Sequence, residues 1–326
     1  MPDKKYAEKS LKKKTLKSAD PGPPVTGAEP APPGLADSLL SEIAGSLDDL
    51  KKKWQPESGP AYGEKKKEKG RFKLADTDPS ARPFSTGDKQ RDKAAIDALA
   101  TELDTFQGLF YADKRYKLLV VLQGTDASGK DGTLRGVFGR MSSLGVQTVG
   151  WKAPSEDERA HDYLWRIHQK VPGLGEIVLF NRSHYEEVLV PPVNGWITLE
   201  QTAQRFAQIN DFERMLSETG TVVLKFMLHI SFDEQRVRLQ ERIGDVSKNW
   251  KFDIGDLDTR KQWKQYQRAY EDLLNATSTS WAPWTVVPAD SKTHRNLMIA
   301  LLVRQALHKL GLRYPSNPAL RGLLVS

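Results

Sequence analysis

Gly124, Gly129 and Lys130 stand in the spacing G-x-x-x-x-G-K within LLVVLQGTDASGKDGT, residues 118–133. Glycines let the chain curl so that successive backbone N–H groups face one point, and such a nest binds phosphate oxygens. The ammonium of Lys130 can reach the terminal phosphates. An apolar run precedes the loop and a helix opens from Gly129, so the helix N-terminus adds its partial positive charge. Gly124, Thr125, Ala127, Ser128, Gly129, Asp131, Gly132 and Thr133 are therefore the expected phosphate-binding residues around a catalytic Lys130.

Two positions depart from the usual magnesium-holding pattern. Asp131 follows the lysine where a hydroxyl is customary, and Asn181 ends the strand of EIVLFNRSHYEE where an acid is. Magnesium takes oxygen ligands and keeps several waters. Asp126, inside the loop, is the nearest replacement carboxylate. Asp131 is the reserve ligand, or else complements the helix dipole. Arg182 follows the strand directly and can grip a phosphate with two donors; a surface salt bridge is its alternative use. His184 and Tyr185 suit packing or hydrogen bonding behind the site better than chemistry. Glu186 fits either a charge at a helix start or a ligand to substrate or metal.

The elements that must position these groups alternate along the chain. Apolar strands are predicted over 118–123, 146–149, 176–180, 221–229 and 284–287. Helices are predicted from Gly129 and over 157–170, 199–217, 233–242, 258–276 and 291–310. Ahead of the first strand, Ile96, Leu99, Leu103, Phe106 and Phe110 recur at helical spacing. Such alternation implies an α/β fold whose parallel sheet is covered on both faces.

The 326 residues are 38% hydrophobic, enough for one large domain or two modest ones. No run of about 18 apolar residues occurs, so no membrane partner is expected. MPDKKYAEKSLKKKTLKSADPG lacks the apolar centre of a secretory signal. The chain has no cysteine, which excludes disulfides, zinc–thiolate sites and cysteine nucleophiles, and cytoplasmic localisation is the expectation. A net charge of +7 fits either a basic tail or an anionic partner. Residues 1–70 carry lysine clusters and many of the prolines, and a mostly disordered basic tail is expected there. Within it, Leu39, Ile43, Leu47, Leu50 and Trp54 outline an amphipathic helix over 37–54. Residues 71–326 form the expected catalytic domain.

LQGTDASGKDGT and FNRSHYEEVLV are joined by KAPSEDERAHDYLWRIHQKVP, FERMLSETGTVVLKFMLHIS, RIGDVSKNWKFDIGDLDTRKQW and WAPWTVVPADSK. With these in order, the chain resembles the polyphosphate kinase 2 family over about residues 71–314. The resemblance implies a thymidylate-kinase-like P-loop kinase, with a five-stranded parallel sheet between helices and a helical lid over about 236–262. It implies a phosphotransferase with a phosphate-group acceptor, working reversibly between inorganic polyphosphate and nucleotides: ADP to ATP, AMP to ADP, or both. It implies Mg2+, with Mn2+ as a substitute. Adenine nucleotides are the implied partners, guanine nucleotides the wider alternative, and a homodimer or homotetramer is favoured; nucleic acid is not expected. Carried over residue by residue, the catalytic set is Asp126, Lys130, Asn181, Arg182 and Glu186, with Asp126 the metal ligand. The NRSHYE form, with Glu186, resembles the branch that phosphorylates AMP, ADP or both. Where relatives often carry an arginine after EEVLV, this chain has Pro191, Pro192 and Val193, so one cationic contact is absent.

The lid region holds Arg236, Arg238, Arg242, Lys248, Lys251 and Arg260. Arg238 and Arg242 lie one helical turn apart and are expected to close over phosphates. A solvated face paired with Glu241 and Asp245 is the alternative. Arg166 is expected to pair with Asp162, and Trp250 or Phe252 to stack on a base. The rival function is an ATP-dependent P-loop kinase of a nucleotide or small metabolite, which shares Lys130 and differs in its donor. A second rival is a binding protein whose lysine-rich tail grips a polyanion.

Overall fold

The computed structural model describes residues 48, 52–58, 70–320 and 323–324. Most of the helix expected over 37–54 lies outside the described residues. Five apolar runs form the strands β1 (Lys117–Gln123), β2 (Val146–Gly150), β3 (Ile177–Asn181), β4 (Thr221–His229) and β5 (Trp284–Pro288). Every neighbouring pair is parallel, in the order β2-β3-β1-β4-β5. Parallel strands need crossover connections, and helices lie between successive strands, with one more before the first strand and one after the last. These are α1 (Lys89–Asp113), α2 (Lys130–Val137), α3 (Glu156–Ala160), α4 (Trp165–His168), α5 (Val190–Val193), α6 (Leu199–Glu218), α7 (Phe232–Gly244), α8 (Gly255–Lys261), α9 (Trp263–Thr277) and α10 (Lys292–Lys309).

Side chains alternate across a strand, so β1 feeds two cores. Leu118, Val120 and Leu122 pack with residues of α1, α2 and α10. Leu119 and Val121 face the other way, into a core with Ile209 and Phe212 of α6 and Leu273 and Leu274 of α9. Both faces being covered, β1 is buried from Leu118 to Gln123. The sheet thereby holds the loops at its carboxyl edge, where Gly124 follows β1 and Arg182 follows β3. Among the described residues, no helix is long and apolar enough to cross a membrane.

Two predicted helices are each split in two. The helix expected over 157–170 is interrupted because His161 is extended (ψ 175°) and the Asp162 side chain accepts a bond from the Leu164 N–H at 2.9 Å. An aspartate that bonds the backbone two residues on makes a turn of its own and competes with the helix. The helix expected over 258–276 breaks at Gln262 (φ −90°, ψ 20°), between α8 and α9.

Packing of the domain also begins ahead of residue 71. Trp54 is buried in the core beneath α1 and α10. Its carbonyl accepts from Val286 N at 2.8 Å, Gln55 Nε2 donates to Thr285 Oγ1 at 3.0 Å, and Ser278 Oγ donates to Pro56 O at 3.1 Å. The segment thus covers the outer edge of β5, an edge that would otherwise offer unpaired backbone groups. Trp54→Ala is expected to lower stability by about 3–5 kcal/mol, measured by urea unfolding.

Candidate active site

The loop after β1 curls as its glycines allow. Gly124 has φ 150°, and a Cβ there would come within 2.7 Å of the Leu228 carbonyl. Gly129 has φ 108°, and a Cβ there would overlap the Arg295 guanidinium. Ala127 also holds a positive φ, 61°. Side chains take up the carbonyls of the loop one after another. Lys130 Nζ donates to Gly124 O (2.6 Å) and Thr125 O (3.2 Å), and Gln235 Nε2 to Asp126 O (3.0 Å). Arg238 Nη1 donates to Ala127 O and Ser128 O, both at 3.1 Å. In the loop's neighbourhood the hydroxyls of Thr125, Ser128 and Thr133 are buried with no partner among the described residues. Buried hydroxyls left unpaired call for an acceptor from a ligand or a water. Burial, with help from the nearby Arg182 charge, brings the pKa of Lys130 down to about 8.

Arg182 enters from the end of β3 in a left-handed conformation, φ 65°. Its Nη2 donates to Asp126 Oδ1 at 2.8 Å, and Nη1 lies 3.7 Å from Glu186 Oε2. Gln123, the last residue of β1, donates to Glu186 Oε1 at 3.2 Å. The two positions that broke the magnesium pattern bond each other: Asn181 Nδ2 donates to Asp131 Oδ1 at 2.8 Å. The second oxygen of Asp131 meets Lys251 Nζ at 3.1 Å. Asp131 therefore does more than complement a helix dipole; it ties β3 and the segment after α7 to the start of α2.

Among the described residues, no cluster of three or more His, Asp or Glu side chains is arranged to hold a metal. Magnesium bound beside phosphates needs only one or two carboxylates. Asp126 and Glu186 flank Arg182, and the Asp256 carboxyl is pushed up by burial and by the charge of Asp126. A divalent cation would relieve that crowding of negative charge, so the donor set fits one.

A cleft of about 900 Å³ opens over the loop, with Arg135, Lys152, Arg242, Lys248, Lys251 and Lys292 in its walls. Arg242 is half-tethered, to Lys251 O (3.2 Å) and Asp256 Oδ2 (3.3 Å). Trp250 also lines the cleft and is largely exposed; Phe252 does not line it. Arg238 departs from its expected place among mobile phosphate ligands. It is buried, and besides the loop carbonyls it bonds Glu234, Ala289 O and Asp290 O. A guanidinium so fully engaged has no donor left for a phosphate. Arg260 stacks on Phe232 and bonds Phe232 O and Gln235, away from the cleft walls. Arg166 pairs with Glu158 and Glu187 in place of Asp162, since the turn at Asp162 points that side chain at the backbone.

Residues 86–313 match the family model described as polyphosphate kinase 2 (PPK2). The chain belongs to the polyphosphate kinase 2 family. An AMP/ADP-polyphosphate phosphotransferase of Meiothermus ruber is 47% identical over 246 residues, 76% of this chain and 92% of that one. An ADP-polyphosphate phosphotransferase of Rhodopseudomonas palustris is 38% identical over 232 residues, 67% of this chain and 80% of the other. The crystal structure of polyphosphate kinase 2 from Arthrobacter aurescens TC1 superposes with a TM-score of 0.74 at 40% identity, covering 81% of this chain and 94% of that one. The chain is a phosphotransferase enzyme with the P-loop kinase fold of these structures.

Three residues of this polyphosphate kinase escaped the motif reading. Arg295, from α10, is buried with Nη1 3.4 Å from Ser128 O; burial and the neighbouring Arg238 lower its pKa to about 9. Gln235 reaches the loop from α7. Gln123 did carry a signal, as the polar residue that closes the apolar run of β1 while remaining buried. Lys130→Ala is expected to lower kcat at least about 100-fold with polyphosphate and nucleotide, measured at saturation. The pH profile follows from the lowered pKa of Lys130: the free protein carries the charge below pH about 8 and loses it above. The expected result is a kcat/KM for polyphosphate that falls above that pH, with kcat holding to higher pH because bound phosphate favours the protonated amine.

Proposed function

We propose that this enzyme catalyses reversible, Mg2+-dependent phosphoryl transfer between inorganic polyphosphate and adenine nucleotides, converting AMP to ADP and ADP to ATP. The observation that carries the reading is the meeting of Lys130, Arg182 and Asp126 in a cation-lined cleft of about 900 Å³. The 47%-identical relative named for both AMP and ADP supports both acceptors.

In the forward reaction an oxygen of the nucleotide's terminal phosphate attacks the terminal phosphorus of polyphosphate. The bond from that phosphorus to the rest of the chain breaks, and the shortened polyphosphate leaves with the electron pair. Such a step needs alignment and charge stabilisation more than covalent help from the protein. The loop N–H groups and Lys130 cradle the exchanging phosphates, and Arg182 meets the charge on the transferring group. Asp126, with Glu186 beside it, would hold Mg2+ or Mn2+, which supplies neutralisation of the bridging phosphates. Asn181 keeps Asp131 oriented. Segment 236–262 acts as the lid, with Arg242 and Lys251 its phosphate-facing cations. Upstream of Trp54, the lysine clusters of the tail raise the local concentration of the anionic donor.

The test is product formation from AMP and from ADP, in separate reactions with long-chain polyphosphate, with and without Mg2+. Both reactions are expected to proceed, and chelation to stop them. Transfer from ATP with polyphosphate inert would replace this reading with that of an ATP-dependent kinase.

A further inference from the structure

Alternation along β4 puts Val223, Lys225 and Met227 on one face of the sheet. Val223 and Met227 are core residues, and the Lys225 side chain is fully buried among them. All three of its N–H donors are used: on Glu213 Oε2 at 2.6 Å, Tyr185 Oη at 2.7 Å and Thr277 O at 2.8 Å. The Tyr185 hydroxyl donates in turn to Glu213 Oε1 at 2.8 Å, and His184 Nε2 lies 3.3 Å from the same oxygen. The ammonium also sits over the rings of Tyr185 and Trp284, 5.2 and 5.0 Å from their centroids. Glu213 comes from α6 and is as buried as its partner. Burial opposes this carboxylate, but Lys225 and His184 outweigh it and hold its pKa below the usual value.

A buried ion pair is a poor source of stability, since apolar residues of similar size often do as well or better. The partners of this pair point to a different use. His184 and Tyr185 follow Arg182 by two and three residues, and Glu186 comes next. Arg182 keeps its φ of 65°, which a non-glycine residue holds only where the surroundings fix it. The short turn His184–Val188 stands directly behind it, with Ser183 Oγ accepting from Tyr185 N at 3.2 Å.

We propose that the buried Glu213–Lys225 pair, acting through Tyr185 and His184, is a positioning device that holds the Arg182 guanidinium and the Glu186 carboxylate in place for phosphoryl transfer. None of these four residues lines the cleft, so all act through others. The inference rests on the role given to Arg182 above.

Tyr185→Phe keeps the ring and removes the hydroxyl that closes the network. The expected result is a kcat lower by about tenfold or more, with KM for polyphosphate within about twofold and an unchanged circular dichroism spectrum. In an Arg182→Lys background the same substitution is expected to cost less than about twofold, because the group it positions is already altered. The double variant E213Q/K225M removes both charges together. It is expected to melt no lower than the parent while losing kcat similarly; if it fails to fold, Tyr185→Phe decides. An unchanged kcat in Tyr185→Phe, or the same fold-loss in both backgrounds, overturns the proposal. Near-normal kcat in Arg182→Lys alone would overturn the role of Arg182 itself, which is a separate failure.

Discussion

A buried loop that turns its N–H groups toward a phosphate leaves its carbonyls to be satisfied by other groups. Here side chains do that for each residue from Gly124 to Ser128: Lys130 for the first two, Gln235 for the third, Arg238 for the last two, and Arg295 again at Ser128. A peptide group left unpaired in this buried setting would cost about 1–3 kcal/mol, so the arrangement fixes the loop firmly. The donors come from α2, α7 and α10, which means the loop's shape depends on the whole fold and not on its own sequence alone. It also explains why Gly129 must be glycine: the Arg295 guanidinium that supports Ser128 occupies the space of a side chain.

The substitutions at Asp131 and Asn181 become intelligible as a pair. A carboxylate at the head of α2 and an amide at the end of β3 form one hydrogen bond at 2.8 Å, and the acid moves from the strand to the loop. The negative charge that a strand-end acid would bring beside Arg182 is supplied from within the loop by Asp126, at 2.8 Å. Arg182 is thereby neutralised by the residue proposed to bind the cation. A divalent ion held at Asp126 would add positive charge beside Arg182, where it would help neutralise bound phosphates.

What the sequence made legible was local. The glycine spacing, the apolar strands and the helices between them are short-range patterns, and the five strands lie within a residue or so of their predicted bounds. The breaks at His161 and Gln262 were hidden because helical periodicity continues through them; an Asx turn and a single bridge-region residue interrupt it. Arg295 and Gln235 meet the loop across more than a hundred residues of chain, a proximity no spacing encodes. Lys225 misleads in the opposite sense. A lysine in TVVLKFMLH has no partner within its own strand, and Glu213, twelve residues earlier, brings the charge that allows it inside. Arg238 was legible as a cation near phosphates but not as a buried clamp, since only tertiary packing consumes its donors.

These contrasts assign different mechanical roles to two ends of one region. In its first two turns, α7 is fastened to the loop by Gln235 and Arg238, through buried and part-buried bonds to three successive carbonyls. Beyond its end, Lys251 is held to the half-exposed Asp131, and an ion pair of that kind is worth about 0–1 kcal/mol. Arg242 lies between them, partly buried, with longer bonds of 3.2 and 3.3 Å. The contacts therefore become fewer and more exposed from the loop outward. In the proposed reaction a polyanion entering the cleft would compete with Asp131 and Asp256 for Lys251 and Arg242, whereas Arg238 has its donors committed elsewhere. If segment 236–262 moves as the proposed lid, the loop would keep its geometry, because the groups that fix the loop and the groups that would release are different side chains on the same stretch of chain.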